Sequence, residues 1–352
     1  MVDNHPKKSY TFLVQNKGER KLFLMRNKVT VKDKVLLILE ENKGTTISGE
    51  ALARALGVSR AAIWKAIKAL SEEGYEITAG TNKGYCLDSN SDVLSMQGIG
   101  SYIRATPQPK LFVYDTVEST NKLAKQLAFD GALHGTCVIA NQQTAGRGRL
   151  GRSFFSPAHS GIYLSIILRP ETDMTKASLI TTMAAVATAR AISSVCGIDP
   201  DIKWVNDLYF MGKKICGILS EAVTDFESGR IESVVVGIGI NCAPPPDGFP
   251  DELKKIAGFI PGSYTFSRNQ LTAEIITNVM ELCEDLSNGN FLEEYRERCL
   301  VLGKTIMVYK RGLENEGTIA TGLDIDNNGA LVVKYPNGVI ESLSSGEISI
   351  RL

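Results

Sequence analysis

Residues 146 to 152 read Gly-Arg-Gly-Arg-Leu-Gly-Arg, three glycines alternating with three arginines between two apolar stretches. Such a run serves neither a helix nor a packed core, so the chain must fold around a loop at this point. Glycine lets backbone N–H groups approach a ligand closely, and arginine supplies a planar fork of donors matched to carboxylate or phosphate oxygens. Two readings fit the run: a phosphate or adenylate clamp, and a basic, solvated surface loop. The segment also satisfies G-x-G-x-x-G, the dinucleotide fingerprint, but its context does not. That fingerprint opens a helix whose N-terminus holds the pyrophosphate. Here Ser153-Phe154-Phe155-Ser156-Pro157 leads instead to Gly161–Leu168, which reads as a strand. No V-A-I-K or H-R-D motif and no full G-x-x-x-x-G-K-[ST] loop occurs, which excludes kinase and Walker-type sites.

Basic and acidic residues balance at 39 each, so any nucleic-acid site has to be local rather than a property of the whole surface. The 352 residues suggest two or three domains, each with its own core. Cys86, Cys137, Cys196, Cys216, Cys242, Cys283 and Cys299 are scattered and never in C-x-x-C spacing, the usage of reduced cytosolic thiols. No apolar run is expected to reach the roughly 18 residues of a membrane span, and no signal peptide is evident, so a soluble cytoplasmic protein is expected. His5, His134 and His159 without an H-E-x-x-H or cysteine cluster point away from a protein-only metal site. Chemistry is expected from lysine, arginine and a metal carried in by substrate.

Residues 1–30 mix seven basic side chains from Lys7 to Lys28 with only Asp3 and Glu19 and show little apolar periodicity. They read as a disordered basic tail, or as an appended start ahead of Met25. Residues 31–90 then spell a winged helix-turn-helix. Val31, Val35, Leu36, Ile38 and Leu39 make one helical face, Ser48 caps a short second helix, Gly57 breaks the chain, and Ser59 caps a third. In that third helix Ile63, Ile67 and Leu70 point inward, which turns Arg60, Trp64, Lys65 and Lys68 outward on a face without acids. Two alternating runs around Thr81-Asn82-Lys83-Gly84 form the hairpin wing. The expected DNA contacts are Arg60, Trp64, Lys65, Lys68 and Lys83, although winged helices also dock proteins and Trp64 also suits a partly buried packing role.

After a polar linker at Asp88–Asp92, residues 91–300 carry helical and strand-like stretches, with strands arriving consecutively between 202 and 240. That order predicts a mixed or antiparallel α+β sheet rather than a parallel doubly wound one. Residues 301–352 are short alternating runs separated by glycine and asparagine turns, as in a small SH3-like β-barrel. Three further segments of the central region stand out. Ser119-Thr120-Asn121 lies where a strand gives way to a helix, offering polar groups at a helix N-terminus or a simple cap. Lys203-Trp204-Val205-Asn206-Asp207 places a lysine in an apolar strand, poised against an anion or on a solvated face. Gly237-Ile238-Gly239-Ile240-Asn241 ends an apolar strand in glycines, which suits close approach to a ligand or a bulge.

Together S-T-N, Q-x-A-G-R-G-R-x-G-R, K-W-x-N-D-L and G-x-G-I-N occur in the order seen in biotin–protein ligases. With the winged helix, residues 31–352 resemble the bacterial bifunctional biotin ligase and biotin operon repressor family. That family usually has proline where this chain has Val205, which removes a conformational lock from the turn. The resemblance implies two steps: biotin attacks the α-phosphate of ATP, giving biotinyl-5′-AMP, and a lysine of a biotin carboxyl carrier protein then takes the biotinyl group. It implies biotin contacts from Ser119, Thr120, Asn121, Gln143, Arg147, Gly148, Arg149 and Lys203. Charge stabilisation falls to Lys203, Arg147 and Arg149, and nucleotide or Mg²⁺ contacts to Asn206, Asp207 and Asn241. It further implies an adenylate-bound homodimer that binds operator DNA, with the adenylate as corepressor. The competing readings are a lipoate or octanoyl ligase of the same fold and a non-catalytic, metabolite-sensing transcription factor.

Overall fold

The computed structural model describes residues 29–80, 84–170, 177–224, 231–262, 266–310, 316–344 and 347–350. The expected basic tail falls outside the described residues except for its last two positions, and so does Lys83 of the wing.

Three capped helices open the chain: α1 (Val31–Glu41), α2 (Gly49–Leu56) and α3 (Arg60–Glu72). Thr30 and Asp33 form a reciprocal capping box on α1, while the Ser48 and Ser59 hydroxyls accept from Ala51 N and Ala62 N at 3.0 and 3.2 Å. Gly57 supplies the left-handed turn between α2 and α3 with φ 64°. Val35, Leu36, Leu39, Ile63, Ile67 and Leu70 close a small core of their own, covered by the antiparallel hairpin β1 (Ile77–Gly80) and β2 (Gly84–Leu87).

The segment after the hairpin is held more firmly than its polar composition suggests. It leads into α4 (Met96–Tyr102), a short helix absent from the sequence reading, capped by Ser95 and buried along Met96–Gly100. Arg268 reaches back to this segment, its Nε lying 2.6 Å from Asp92 Oδ2 and its Nη2 2.6 Å from the Asp92 carbonyl. The same guanidinium donates through Nη1 to Gly161 O at 3.2 Å and Asn141 Oδ1 at 3.3 Å. Asn269 continues the grip, accepting from Ser95 N and donating to Val93 O. Gln97 then donates to Asp33 of α1 at 3.1 Å. The winged helix is thus clipped to the central domain by fixed polar contacts.

The central domain is built on β3 (Leu111–Val117), α5 (Thr120–Phe129), β4 (Cys137–Gln143), β5 (Gly161–Leu168), α6 (Ala177–Cys196), β6 (Asp201–Lys203), β7 (Asp207–Phe210), β8 (Lys213–Thr224), β9 (Ile231–Asn241), α7 (Arg268–Glu284) and α8 (Phe291–Arg298). Its seven strands lie in the order β3-β4-β5-β9-β8-β7-β6, parallel between β3 and β4 and antiparallel elsewhere. This is the mixed sheet expected. The strand read at Ile202–Val205 ends at Lys203, because the chain turns at Trp204 to start β7. Among the described residues one helix is long and apolar enough to cross a membrane by composition: Leu179–Cys196 of α6 has mean hydropathy 1.5, contrary to the expectation that no segment would qualify. It is the core helix of this domain, with Met183, Ala184, Val186 and Ile192 fully buried.

The chain ends in an antiparallel sheet of β10 (Thr305–Tyr309), β11 (Thr318–Ile325), β12 (Leu331–Lys334), β13 (Ile340–Leu343) and β14 (Glu347–Ile350), ordered β13-β12-β11-β10-β14. Trp204 Nε1 donates to Gly329 O at 3.0 Å and Arg296 Nη2 to Ile325 O at 2.6 Å, fixing this sheet against the central domain.

Arg268 is nine-tenths buried, so Arg268→Ala strips Asp92 Oδ2 and the Gly161 carbonyl of their guanidinium donors and leaves only the backbone N of residue 268 on Asp92 Oδ1. Breaking such a pair costs about 3 kcal/mol. The expected outcome is a melting temperature lower by about 5 °C or more and faster proteolysis within 88–95. Unchanged melting and protease resistance would contradict the clip.

Candidate active site

The site is a trough on one face of the sheet. Side chains alternate along a strand, so Tyr163, Ser165 and Ile167 of β5 share a face with Val235, Gly237, Gly239 and Asn241 of β9 and with Gly217, Leu219 and Glu221 of β8. The register sets Gly239 between Tyr163 and Gly217, and Gly237 between Ser165 and Leu219. Helix α5 covers the Ile167 and Val235 end through Ala124 and Ala128. Beyond it the glycines leave the face bare.

The chain's own side chains enter that space. A Cβ on Gly237 would lie 2.1 Å from Asn121 Oδ1, and one on Gly239 would lie 2.5 Å from the Phe154 ring. The close approach read from the glycines is therefore made by Asn121 and Phe154, and β9 has no bulge at these positions. Phe154 also meets Tyr163 edge-on at 6.5 Å.

Ser119 caps α5, which buries Thr120 and Asn121 in its first turn. Gln143, at the end of β4, accepts from Thr120 N at 2.8 Å and donates to Ser156 Oγ at 2.9 Å. The Arg-Gly segment leaves β4 as a tight hairpin: Gly148 N donates to Arg152 O at 2.7 Å and Phe154 N to Gly146 O at 2.9 Å. Its tip is a 3-10 turn at Arg149–Gly151, with Leu150 left-handed at φ 55° and 65 % exposed. Arg149 Nη1 donates to Asn206 Oδ1 at 3.2 Å, joining this loop to the Lys203–Asp207 turn.

Lys203 is the half-buried last residue of β6, with Nζ 5.7 Å from the Tyr209 ring centroid. Burial, with the Asp207 charge adding to it, pushes the Tyr209 hydroxyl up to about 12. The Trp204–Val205 peptide bond is cis although residue 205 is not proline. Asn206 Nδ2 donates to Ile218 O and Asn241 Nδ2 to Gly258 O, both at 2.8 Å. Lys214 Nζ stands 2.7 Å from Asp207 Oδ1.

These groups line one cavity of about 290 Å³. The structure brings together there Ser119, Thr120, Asn121 and Gln143, then Arg147, Gly148, Arg149 and Lys203, then Asn206, Asp207 and Asn241. Sequence reasoning missed Arg152 and Lys214, which add to its cationic wall, and Phe154, Phe249 and Ile348, which add apolar surface. The Phe154–Phe155 pair stood beside the loop in sequence, but nothing there signalled that one ring fills the trough. The cavity has a polar, buried end at α5 and a cationic end between the Arg-Gly loop and Lys203. It suits an acid whose head is hydrogen-bonded and whose carboxylate meets a phosphate. Among the described residues, no group of three His, Cys, Asp or Glu side chains could hold a metal ion.

A second surface lies on α3. Ile63, Ile67 and Leu70 are buried while Arg60, Lys65 and Lys68 are exposed, and Trp64 is 58 % exposed. Lys68 Nζ sits 5.7 Å from the Trp64 ring centroid, a cation–π pair on an open helix face.

The comparisons divide along the same lines. Residues 31–86 match a helix-turn-helix domain, 113–241 the biotin/lipoate A/B protein ligase family, and 312–351 the biotin protein ligase C-terminal domain. Together they define a ligase carrying a DNA-binding-type domain. The bifunctional ligase/repressor BirA of Bacillus spizizenii is 42 % identical over 229 residues, covering 65 % of this chain and 70 % of that protein. The Escherichia coli BirA is 30 % identical over 329 residues, covering 92 % and 98 %. Biotin protein ligase from Aquifex aeolicus, solved with biotin and ATP, shares the fold with TM-score 0.57 at 24 % identity, covering 69 % of this chain and 98 % of that one. The chain belongs to the bifunctional biotin ligase/repressor family.

Proposed function

We propose that this protein activates biotin with ATP to biotinyl-5′-AMP, passes the biotinyl group to a lysine of a biotin carboxyl carrier protein, and represses biotin-synthesis genes as an adenylate-bound dimer. The observation that carries the reading is the single cavity joining the Ser119–Asn121 turn to the Arg-Gly loop and Lys203. Domain roles follow: a basic tail at 1–30, a DNA-binding winged helix at 31–90, the ligase domain at 91–300 and the SH3-like barrel at 301–352.

Joining a carboxylate to a triphosphate brings two anions together, so the barrier falls most where fixed cations meet the developing charge. Lys203 and Arg149, with Arg147 at the loop base, supply those cations from the end of β6 and from the Arg-Gly loop. Ser119, Thr120, Asn121 and Gln143 hold the head of biotin and thereby aim its carboxylate at the cationic end. No side chain needs to become a covalent nucleophile, because the mixed anhydride is already activated toward a lysine amine. Mg²⁺ usually binds through one or two carboxylates plus substrate phosphates, and Asp207, beside Asn206 and ion-paired with Lys214, is the carboxylate of the cleft wall that would hold it. Mg²⁺ there would screen phosphate charge. Asn241, tied to Gly258, positions the neighbouring segment around the nucleotide.

Lys203→Ala is expected to slow adenylate formation by about 10²-fold or more in single-turnover assays, as loss of a transition-state charge donor does. An unchanged rate would remove Lys203 from the mechanism.

For repression, Arg60, Trp64, Lys65 and Lys68, with Lys83 of the wing, are the groups offered to operator DNA. Each phosphate neutralised lowers the slope of log K against log salt by about 0.9. Lys65→Ala should therefore flatten that slope by about 0.9 per protomer. A slope equal to the parent's would take Lys65 off the DNA.

A further inference from the structure

We infer that Glu221 is a positioning residue that sets the hydrogen-bond polarity of the biotin head-group pocket, through Asn121 and Ser165, and so favours a ring bearing N–H donors over a plain acyl chain. The inference rests on the assignment of the Ser119–Asn121 turn to biotin. Glu221 lies on β8, on the face shared by the trough, and is not itself part of the cavity wall.

Glu221 Oε2 accepts from Asn121 Nδ2 at 2.8 Å, and Glu221 Oε1 is 2.6 Å from Lys125 Nζ. Burial raises the Glu221 pKa, but hydrogen bonds from Lys125 and Asn121 outweigh it and hold the carboxyl below its ordinary range. A carboxylate only accepts, so it fixes which end of the Asn121 amide faces it. Asn121 Nδ2 also donates to Leu219 O at 3.2 Å, which leaves both amide hydrogens spent and turns Oδ1 toward β5. There Ser165, fully buried, lies 2.6 Å from Asn121 Oδ1. That oxygen can only accept, so the Ser165 hydroxyl proton is committed to it.

Counting the remaining protons gives the polarity. Ser165 Oγ is 2.8 Å from Thr120 Oγ1, and Thr120 Oγ1 is 3.1 Å from Gln143 Oε1. Three oxygen–oxygen contacts therefore share two hydroxyl protons, one from Ser165 and one from Thr120. With Ser165 committed, the Thr120 proton serves one of the other two contacts, and although Gln143 Oε1 also accepts from Thr120 N, one oxygen–oxygen contact of the cluster has no proton of its own. Such a cluster welcomes an N–H group and gives an aliphatic tail nothing to offset the desolvation of its lone pairs. A cyclic urea brings N–H donors; octanoic acid brings none. Were the Asn121 amide reversed, Ser165 would face a donor and the shortage would vanish. Glu221, by the shorter of the two bonds, and the Leu219 carbonyl hold it unreversed.

The test measures ATP–pyrophosphate exchange driven by biotin or by octanoic acid in the full-length protein and its variants. Glu221→Leu is expected to raise the KM for biotin about tenfold, leave the KM for ATP within about twofold, and cut the biotin-to-octanoate preference about tenfold, the loss expected when buried polar groups lose their fixed pairing. Glu221→Gln keeps an acceptor for Asn121 and should recover most of the biotin KM. Lys125→Met removes the ion pair alone and should behave like the parent. Should Glu221→Leu fail to fold, the Gln and Met variants with Asn121→Asp, which sets two carboxylates together, still read the same KM split. A biotin preference that survives in Glu221→Leu or Asn121→Asp overturns the inference. So does a Lys125→Met variant as defective as Glu221→Leu, which would make the ion pair merely structural. Thr120→Val separates the two levels. If it leaves the biotin KM unchanged, the head-group assignment itself falls; if it raises the KM while Glu221→Leu does not, only the role of Glu221 falls.

Discussion

The catalytic domain depends on side chains that are missing from one face of its sheet. Gly217, Gly237 and Gly239 stand where a two-layer α+β fold would otherwise place core residues between sheet and helix. Side chains there would close the trough, and approaches of 2.1 Å to Asn121 and 2.5 Å to Phe154 show how little room a single methyl would have. Because the space exists, the first turn of α5 can bring its polar groups over the strands, and Phe154 can anchor the far end of the Arg-Gly loop. The opposite face of β9 obeys the ordinary rule, with Val234, Val236, Ile238 and Ile240 packed into the main core. One strand therefore carries stability on one side and the site on the other.

The same economy joins the site to the winged helix. Asn141 lies two residues before Gln143 on β4, and Gly161 pairs with Asn241 at the mouth of the trough. Arg268 touches both and also holds Asp92, so the base of the site and the start of the central domain share one buried guanidinium. On the other side Arg149 ties the loop tip to Asn206, whose amide in turn holds β8 at Ile218. The Arg-Gly segment is thus a folded hairpin, presenting an exposed Leu150 at its tip, rather than a loose string of charges.

Much of this was legible in sequence because it follows local rules. The caps at Ser48, Ser59 and Ser119, the left-handed turn at Gly57 and the inward Ile63, Ile67 and Leu70 are set within a few residues of chain. The motif residues could be gathered into one site by resemblance, and they do line one cavity. What escaped depends on residues far apart. Lys214 meets Asp207 only because β7 and β8 form a hairpin, and Glu221 meets Asn121 across 100 positions. Arg268 and Asp92 are 176 positions apart, and neither looks unusual alone. Helix α4 was hidden because its seven residues include two glycines and no amphipathic stripe, and burial rather than propensity makes it helical.

The chemistry that defines this cavity is the activation of biotin by adenylation. Its most direct measurement is pyrophosphate exchange into ATP by the purified full-length protein, with biotin, lipoate, octanoate or no acid present. Exchange should require biotin and should not be supported by the other acids at comparable concentration. Exchange driven equally by lipoate or octanoate, or no exchange with biotin, would contradict it.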